Sequence, residues 1–457
     1  MYKSANLLLT SFILLIFLGV SCQETKNEEK EQLGDTSLKA KKPSIADVER
    51  GIRANIEASI EEDNGYFNIE KDSFNLSLKL VRVHTEYLSV LGPNKFFACV
   101  DLATTSGDVY DVDFFLDGDK DNMQVTRTDV HKLNGKPYYS WKQNKKDKTW
   151  HKIPVKQSSN RLLGVIEGTD NFTFTYQVQL PEFSEPAELW MPVAESDQFQ
   201  TIELISMETP GKKSIIKGEK FGNSILHLEL LPEDSNQKIT LKYKVVRHEK
   251  APYEEKNADL MTYLESSELI PVGDRFGILA DEIIAKKQAN TPLTEARALY
   301  DYVIDNVRYA KQGKYGTGDA NFACDSKSGN CTEFHSLFIS LARSAGIPAR
   351  FAVGAGIPSE RNDGGVDGYH CWAEFYAEDK WWPVDISEAN KYTALATYYF
   401  GHHPANRIEF SRGRDIAPNP LPKSGPINFL AYPVFEVGGK PDLVQTKFTF
   451  VRAKEKS

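Results

Sequence analysis

Gly329-Asn330-Cys331-Thr332-Glu333-Phe334-His335 is the stretch on which the reading of this 457-residue chain turns. Asn330 stands where an N-cap residue stands. Glu333, three positions on, can reach back to the cap's backbone N–H, the pattern of a capping box. The apolar residues Phe334, Leu337, Phe338, Leu341, Ala342 and Ala345 then recur at the spacing of one buried helix face. Gly346 and Pro348 supply the stop. Cys331 is thereby placed in the first turn of a packed helix, where the positive end of the helix dipole favours a thiolate. A lone cysteine is usually a small core hydrophobe; one at a capped helix start is placed to be a nucleophile.

Tyr369 to Tyr376 reads as a strand with His370, Trp372, Glu374 and Tyr376 on one face and Cys371, Ala373 and Phe375 on the other. Glu378-Asp379-Lys380 makes a polar turn, and Trp381 to Ile386 returns, which puts Asp385 roughly across from His370. A carboxylate beside an imidazole fixes its tautomer and stabilises its charged form, so Cys331, His370 and Asp385 have the composition of a catalytic triad. The backbone N–H of Cys331 is a natural oxyanion donor, because the first helical N–H groups lack intrahelical partners. Gln312 and Tyr315, on the loop 311–327, are candidates for a second donor. Asn330, Glu333, His335 and Trp372 are expected to support the site. His335 lies one turn after Cys331, but two ligands do not make a zinc site, and no metal or other cofactor is expected. Trp372, Trp381 and Trp382 are read as core aromatics, and His402-His403-Pro404 as a loop.

The four motifs Gly329 to His335, Leu341 to Arg343 with Gly346 to Arg350, Tyr369 to Phe375, and Trp382 to Asp385 occur in order. Together they resemble the transglutaminase-like superfamily, with papain-like cysteine chemistry, over roughly residues 258–400. The resemblance implies Cys331 as nucleophile, His370 as general base and acid, and Asp385 as the residue orienting His370. It also implies acyl transfer through a thioester. The expected activity is hydrolysis of amide bonds in peptides or peptidoglycan stem peptides. An amine-accepting transglutaminase is one alternative. A catalytically inactive envelope scaffold or glycan-binding lipoprotein is the other.

Lys3 and the apolar run Leu7 to Val20 have the form of a signal peptide, too short for a comfortable membrane span. Leu18 to Cys22 resembles a bacterial lipobox, with the usual leucine one place early at Leu18 and Gly19 in its position, so Cys22 is expected to carry lipid. Residues 23–42 are charged and polar, a tether. Gln23 and the acidic run after it suggest the cell envelope, at the outer membrane, periplasmic or surface-facing. The formal charge is −9, and removing Lys3 with the leader lowers it by one more. That balance, with no basic stripe or phosphate-binding glycine loop, argues against nucleic acid as a partner. At 40% hydrophobic and 11% aromatic residues, the chain can build several cores.

The expected fold class is α+β: a transglutaminase-like (papain-like) catalytic core preceded by a β-sandwich and a small α+β domain. The boundaries are 1–21 for the signal peptide, 22–43 for the tether, 44–155 for a helix plus antiparallel meander, 160–250 for the sandwich and 258–457 for the catalytic domain. Within 44–155 the spacing of Ile45, Val48, Ile52, Ile56 and Ile60 predicts an amphipathic helix, and no chemical cluster stands out. The apolar segments 428–437 and 446–451 are read as extra strands completing the catalytic sheet. Arg412 and Arg414 are read as salt-bridge residues, and Cys324 and Cys371 as able to pair. Gly364, Gly365 and Gly368 mark the loop 357–368 as a gate over the cleft.

Overall fold

A computed structural model describes residues 43–453 except 63–64, 72–73, 135, 144–149, 155–163, 257–258, 312 and 392–394. The leader, Cys22 and the tether therefore lie outside the described residues, as does Gln312. Among the described residues no helix is long and apolar enough to cross a membrane.

The chain begins with helix α1 (Ile45–Glu62), followed by an antiparallel meander of six strands. These are β1 (Phe67–Lys71), β2 (Phe74–Gly92), β3 (Lys95–Ala103), β4 (Val109–Gly118), β5 (Met123–Leu133) and β6 (Lys136–Pro137). Val48, Ile52 and Ile56, the helical-period residues, bury fully against Val100, Leu102, Val112 and Phe114 on one face of the sheet. The short hairpin β7 (Tyr139–Gln143) and β8 (Trp150–Pro154) follows.

Next come β9 (Thr169–Gln179), β10 (Ala187–Val193), β11 (Gln200–Glu208), β12 (Lys212–Lys217), β13 (Ser224–Leu230) and β14 (Lys238–His248). Strict alternation in β9 and β14 sends Phe172, Phe174, Tyr176, Leu241, Tyr243 and Val245 inward, as two facing sheets require.

The C-terminal region opens with α2 (Asp274–Lys287), α3 (Pro292–Asn306), β15 (Arg308–Tyr309), α4 (Ala320–Ser326), β16 (Ser328–Gly329) and α5 (Cys331–Ser344). It continues through β17 (Ala349–Gly356), β18 (Asp363–Val366), β19 (His370–Ala377), β20 (Lys380–Val384), α6 (Ile386–Lys391) and β21 (Arg407–Arg412). The sheet of this region has the order β20-β19-β17-β21, and α5 packs on β17 and β19.

Two expectations change here. The last strands, β22 (Val434–Val437), β23 (Lys440–Asp442) and β24 (Gln445–Arg452), do not extend the β20-β19-β17-β21 sheet. β22 pairs with β10, and β24 pairs with β9 and carries β18 on its other edge, so they complete the sandwich. Packing explains the choice. Phe448 and Phe450 alternate into the sandwich core beside Phe174, Tyr176 and Phe410, each burial contributing about 1.5–3 kcal/mol. The gate loop is correspondingly pinned. Gly364 and Gly365 lie in β18 opposite Phe450 and Thr449, and the Arg452 guanidinium donates to the carbonyl of Pro358. Strand β18 of that loop is hydrogen-bonded to β24 along one edge, where a mobile gate was expected.

Candidate active site

Helix α5 is buried on every side, not along one face: all residues from Cys331 to Arg343 are buried. Its polar residues can be buried because each finds a partner. Asn330 Oδ1 accepts from Thr332 N–H at 2.8 Å, and Glu333 accepts from Asn330 N–H at 2.9 Å, completing the capping box. Glu333 also accepts from the N–H groups of Gly316 and Gly318, both at 2.8 Å. One carboxylate thus fixes both the helix start and the loop beside it. Ser336 accepts from Arg414, and Arg343 donates to the carbonyl of Ala349 at 2.9 Å.

His335 is held by two backbone groups. Its Nδ1 lies 2.7 Å from the carbonyl of Cys331, and its Nε2 lies 3.1 Å from the N–H of Ile386. A carbonyl accepts and an amide donates, so Nδ1 carries the proton and Nε2 accepts. Burial, only partly offset by Asp385, lowers its pKa, in keeping with a neutral ring. His335 therefore ties α5 to the start of α6.

The β19–β20 register places Ala373 opposite Val384, which carries Asp385 to the diagonal neighbour of His370. His370 Nε2 lies 2.7 Å from Asp385 Oδ2. Asp385 also caps α6, its Oδ1 accepting from Ser387 Oγ and Glu388 N–H at 3.1 Å each. Arg407 of β21 donates to the same Oδ2 at 3.1 Å. Burial opposes the charge of Asp385, but His370 and Arg407 outweigh it and hold the carboxyl well below its usual range. For His370, burial opposes the imidazolium, yet Asp385 and the Cys331 sulfur lift the pKa to about 10.

Cys371 and His370 both favour the Cys331 thiolate. The hydrogen bond from Cys371 is the largest influence and, with His370, pulls Cys331 well below the thiol range against its burial. Cys371 moves the opposite way, pushed up by burial and by the neighbouring Cys331. One sulfur is thus set up as thiolate and the other as the thiol donating to it. Strand alternation sends Cys371 to the face opposite His370, and its Sγ lies 3.7 Å from His335 Nδ1. Cys371 is accordingly not paired with Cys324. Both are free thiols, and Cys324 sits 3.1 Å from an Arg275 guanidinium nitrogen.

Cys331, Asn330 and His370 open on a cleft of about 780 Å³, which Tyr315, Tyr369 and Tyr432 help to line. Of the two expected second oxyanion donors, Tyr315 lies at this cleft. Trp372, Trp381 and Trp382 are fully buried, and Trp372 packs edgewise against His403, with its ring 4.8 Å from the Arg407 guanidinium. Arg412 pairs with Asp197 at 2.8 Å, and Arg414 donates to Asn428 and the carbonyl of Thr317, so both are structural. Arg407 and Cys371 were not among the expected site residues. Arg407 comes from a strand whose sequence carries no motif, and Cys371 was assigned to the opposite face.

Residues 278–386 match the model of the transglutaminase-like superfamily core. The chain therefore carries a transglutaminase-like domain, which spans Cys331, His370 and Asp385. An uncharacterized protein of Haemophilus influenzae is 26% identical over 337 residues, covering 62% of this chain and 90% of that protein. A solved structure named "Putative Cysteine Protease", from Cytophaga hutchinsonii, has a TM-score of 0.44 at 15% identity, covering 64% of this chain and 93% of its own. The periplasmic domain of TgpA from Pseudomonas aeruginosa has a TM-score of 0.28 at 15% identity, covering 53% of this chain and 99% of its own. At these scores neither structural likeness bears on chemistry.

Proposed function

We propose that this protein is an exported, lipid-anchored cysteine hydrolase that cleaves amide bonds in peptides or peptidoglycan stem peptides, with Cys331, His370 and Asp385 as its triad. The observation that carries the reading is that Cys331 and His370 line one cleft while Asp385, buried behind it, bonds His370 at 2.7 Å, with the thiol lowered and the imidazole raised. In this reading the Cys331 thiolate attacks the scissile carbonyl, and the first N–H groups of α5 receive the oxyanion. The His370 imidazolium gives its proton to the leaving amine as the C–N bond breaks. His370, now neutral, takes a proton from water as that water attacks the thioester, and the carboxylic acid leaves as the thiolate re-forms. Asp385, steadied by Arg407, keeps the imidazole oriented and stabilises its charge.

Lys311, Glu360, Asp367 and Arg407 give the cleft wall both signs of charge, which favours a polar peptide over an apolar acyl chain. The full-length protein in detergent, incubated with synthetic stem peptides and a peptide panel, should yield fragments that together have gained one water. Cys331→Ala should abolish them. Products joined to an added amine instead would make the protein a transglutaminase. No product and no acyl adduct on Cys331 across the panel would overturn the enzymatic reading in favour of a scaffold.

A further inference from the structure

The face of the N-terminal sheet opposite α1 turns toward the catalytic core and carries chemistry that the triad does not use. Cys99 of β3 lies directly opposite Asp113 of β4, and Asp111, two residues earlier, shares that face. Between β4 and β5 the register shifts. Lys132 opposes Asp111 and Val130 opposes Val112, which leaves His131 as the extra residue of a bulge. Bulges of this kind re-aim a side chain, and here the His131 ring joins the group.

We propose that Cys99, Asp111, Asp113 and His131 form a four-ligand site for a zinc-class divalent cation. Cys99 Sγ is 3.3 Å from Asp113 Oδ1, and His131 Nδ1 is 3.3 Å from Asp113 Oδ1 and 3.8 Å from Asp111 Oδ1. One ligand atom from each residue lies within 4.8 Å of all the others. Four ligands around a tetrahedral zinc ion, at about 2.0–2.1 Å for nitrogen and oxygen and about 2.3 Å for sulfur, stand about 3.3–3.6 Å apart.

The surroundings are those of ligands and not of an ordinary ion pair. Each carboxylate spends its other oxygen on the protein: Asp111 Oδ2 accepts from Lys132 Nζ at 2.6 Å, and Asp113 Oδ2 accepts from Tyr139 O–H at 2.7 Å. His131 Nε2 lies 3.1 Å from the carbonyl of Tyr139, and its ring stacks on the Tyr139 ring. A carbonyl can only accept, so Nε2 carries a proton, and Nδ1 faces the carboxylate oxygens. Metal-bound histidines are typically fixed in this way, by a backbone carbonyl on the far nitrogen. Asp111 is 4% exposed, and among the described residues no hydrogen-bond donor reaches its Oδ1. A buried carboxylate oxygen without a donor is costly, and a cation shared with the other three would satisfy it.

The donor set of one sulfur, one nitrogen and two oxygens suits zinc and its transition-metal neighbours over calcium or magnesium. The adjoining carboxylates are paired with cationic side chains instead: Asp101 lies 3.1 Å from His84 and 2.9 Å from Arg297, and Asp129 lies 3.0 Å from Arg127. Binding breaks the Cys99 S–H bond and forms a metal–sulfur bond. The proton leaves to solvent, and nothing is oxidised or reduced. The ion would clamp β3, β4 and β5 together beneath α3, through which Arg297 contacts Asp101.

The test uses the full-length protein in detergent, stripped by a chelator and titrated first with Zn²⁺ alone against a chromophoric competitor, then with Co²⁺. Expected are one ion per chain and a cobalt spectrum with a thiolate charge-transfer band and the strong visible bands of a four-coordinate ion. Cys99→Ser should weaken zinc by more than roughly a hundredfold, and Tyr139→Phe by roughly ten- to a hundredfold, the usual effect of losing an outer partner. Cys331→Ser should bind as the wild type does, which separates this site from the thiols of the cleft. Should Cys99→Ser fail to fold, zinc should still raise the thermal midpoint of the wild type, and chelator should reverse it. Absence of uptake by the wild type would leave a hydrogen-bonded polar cluster and overturn the proposal. Uptake lost in Cys331→Ser but kept in Cys99→Ser would overturn it too.

Discussion

Replacing Cys371 by alanine should remove the donor that most strongly favours the Cys331 thiolate. A hydrogen bond to a charged group contributes about 1.5–3 kcal/mol. Cys331 is 3% exposed and Cys371 is fully buried, so solvent screens little of that contribution. At about 1.4 kcal/mol per factor of ten, the thiolate population on the acid limb should fall roughly tenfold to a hundredfold. The sign follows from the direction of the shift. Cys331 is held below the usual thiol range, so its thiolate persists to low pH, and losing the donor moves the acid limb upward while leaving alkaline pH unaffected. The assay is the rate of iodoacetamide alkylation at Cys331, followed by peptide mass spectrometry across the pH range. Cys371→Ser, whose hydroxyl can still donate, should retain most of the wild-type rate. Equal rates for wild type and Cys371→Ala at every acid pH would refute the assignment of Cys371 as the donor.

Because His370 is lifted to about 10, its imidazolium is present below that pH and lost above it. Turnover should therefore decline on the alkaline side near pH 10, and Asp385→Asn should bring that decline to lower pH and cut turnover by about 10²–10⁴. Arg407→Met leaves Asp385 without one of its two charged donors; breaking a buried pair costs about 3–5 kcal/mol, to be read from urea unfolding. At Gly354 an added Cβ would fall 1.8 Å from the carbonyl oxygen of Ile408, so Gly354→Ala should force β17 from β21 and sharply reduce soluble yield.

The parts of this protein that were legible in sequence are those written in local rules. The N-cap at Asn330, the partner at Glu333 and the stop at Gly346 act over a few residues, and α5 begins and ends accordingly. The β19–β20 hairpin is equally local, which is why Asp385 could be set beside His370. Long-range pairing is not local. Nothing in β24 by itself says that Phe448 and Phe450 will join Phe174 and Tyr176, more than 270 residues earlier. Arg407 reaches Asp385 through a strand without a motif, and the His131 cluster depends on a bulge, a register shift that periodicity does not encode. Apolar spacing marks only one face of α5 as buried; the polar residues off that face, Glu333, Ser336 and Arg343, are bonded inside as well.

The most direct test of an activated Cys331 is the rate at which iodoacetamide labels it, near neutral pH and in reduced full-length protein, compared with His370→Ala. The geometry predicts rapid labelling at a pH where an ordinary thiol is mostly protonated, and its loss in the variant. Slow labelling that is indifferent to His370 would contradict the account.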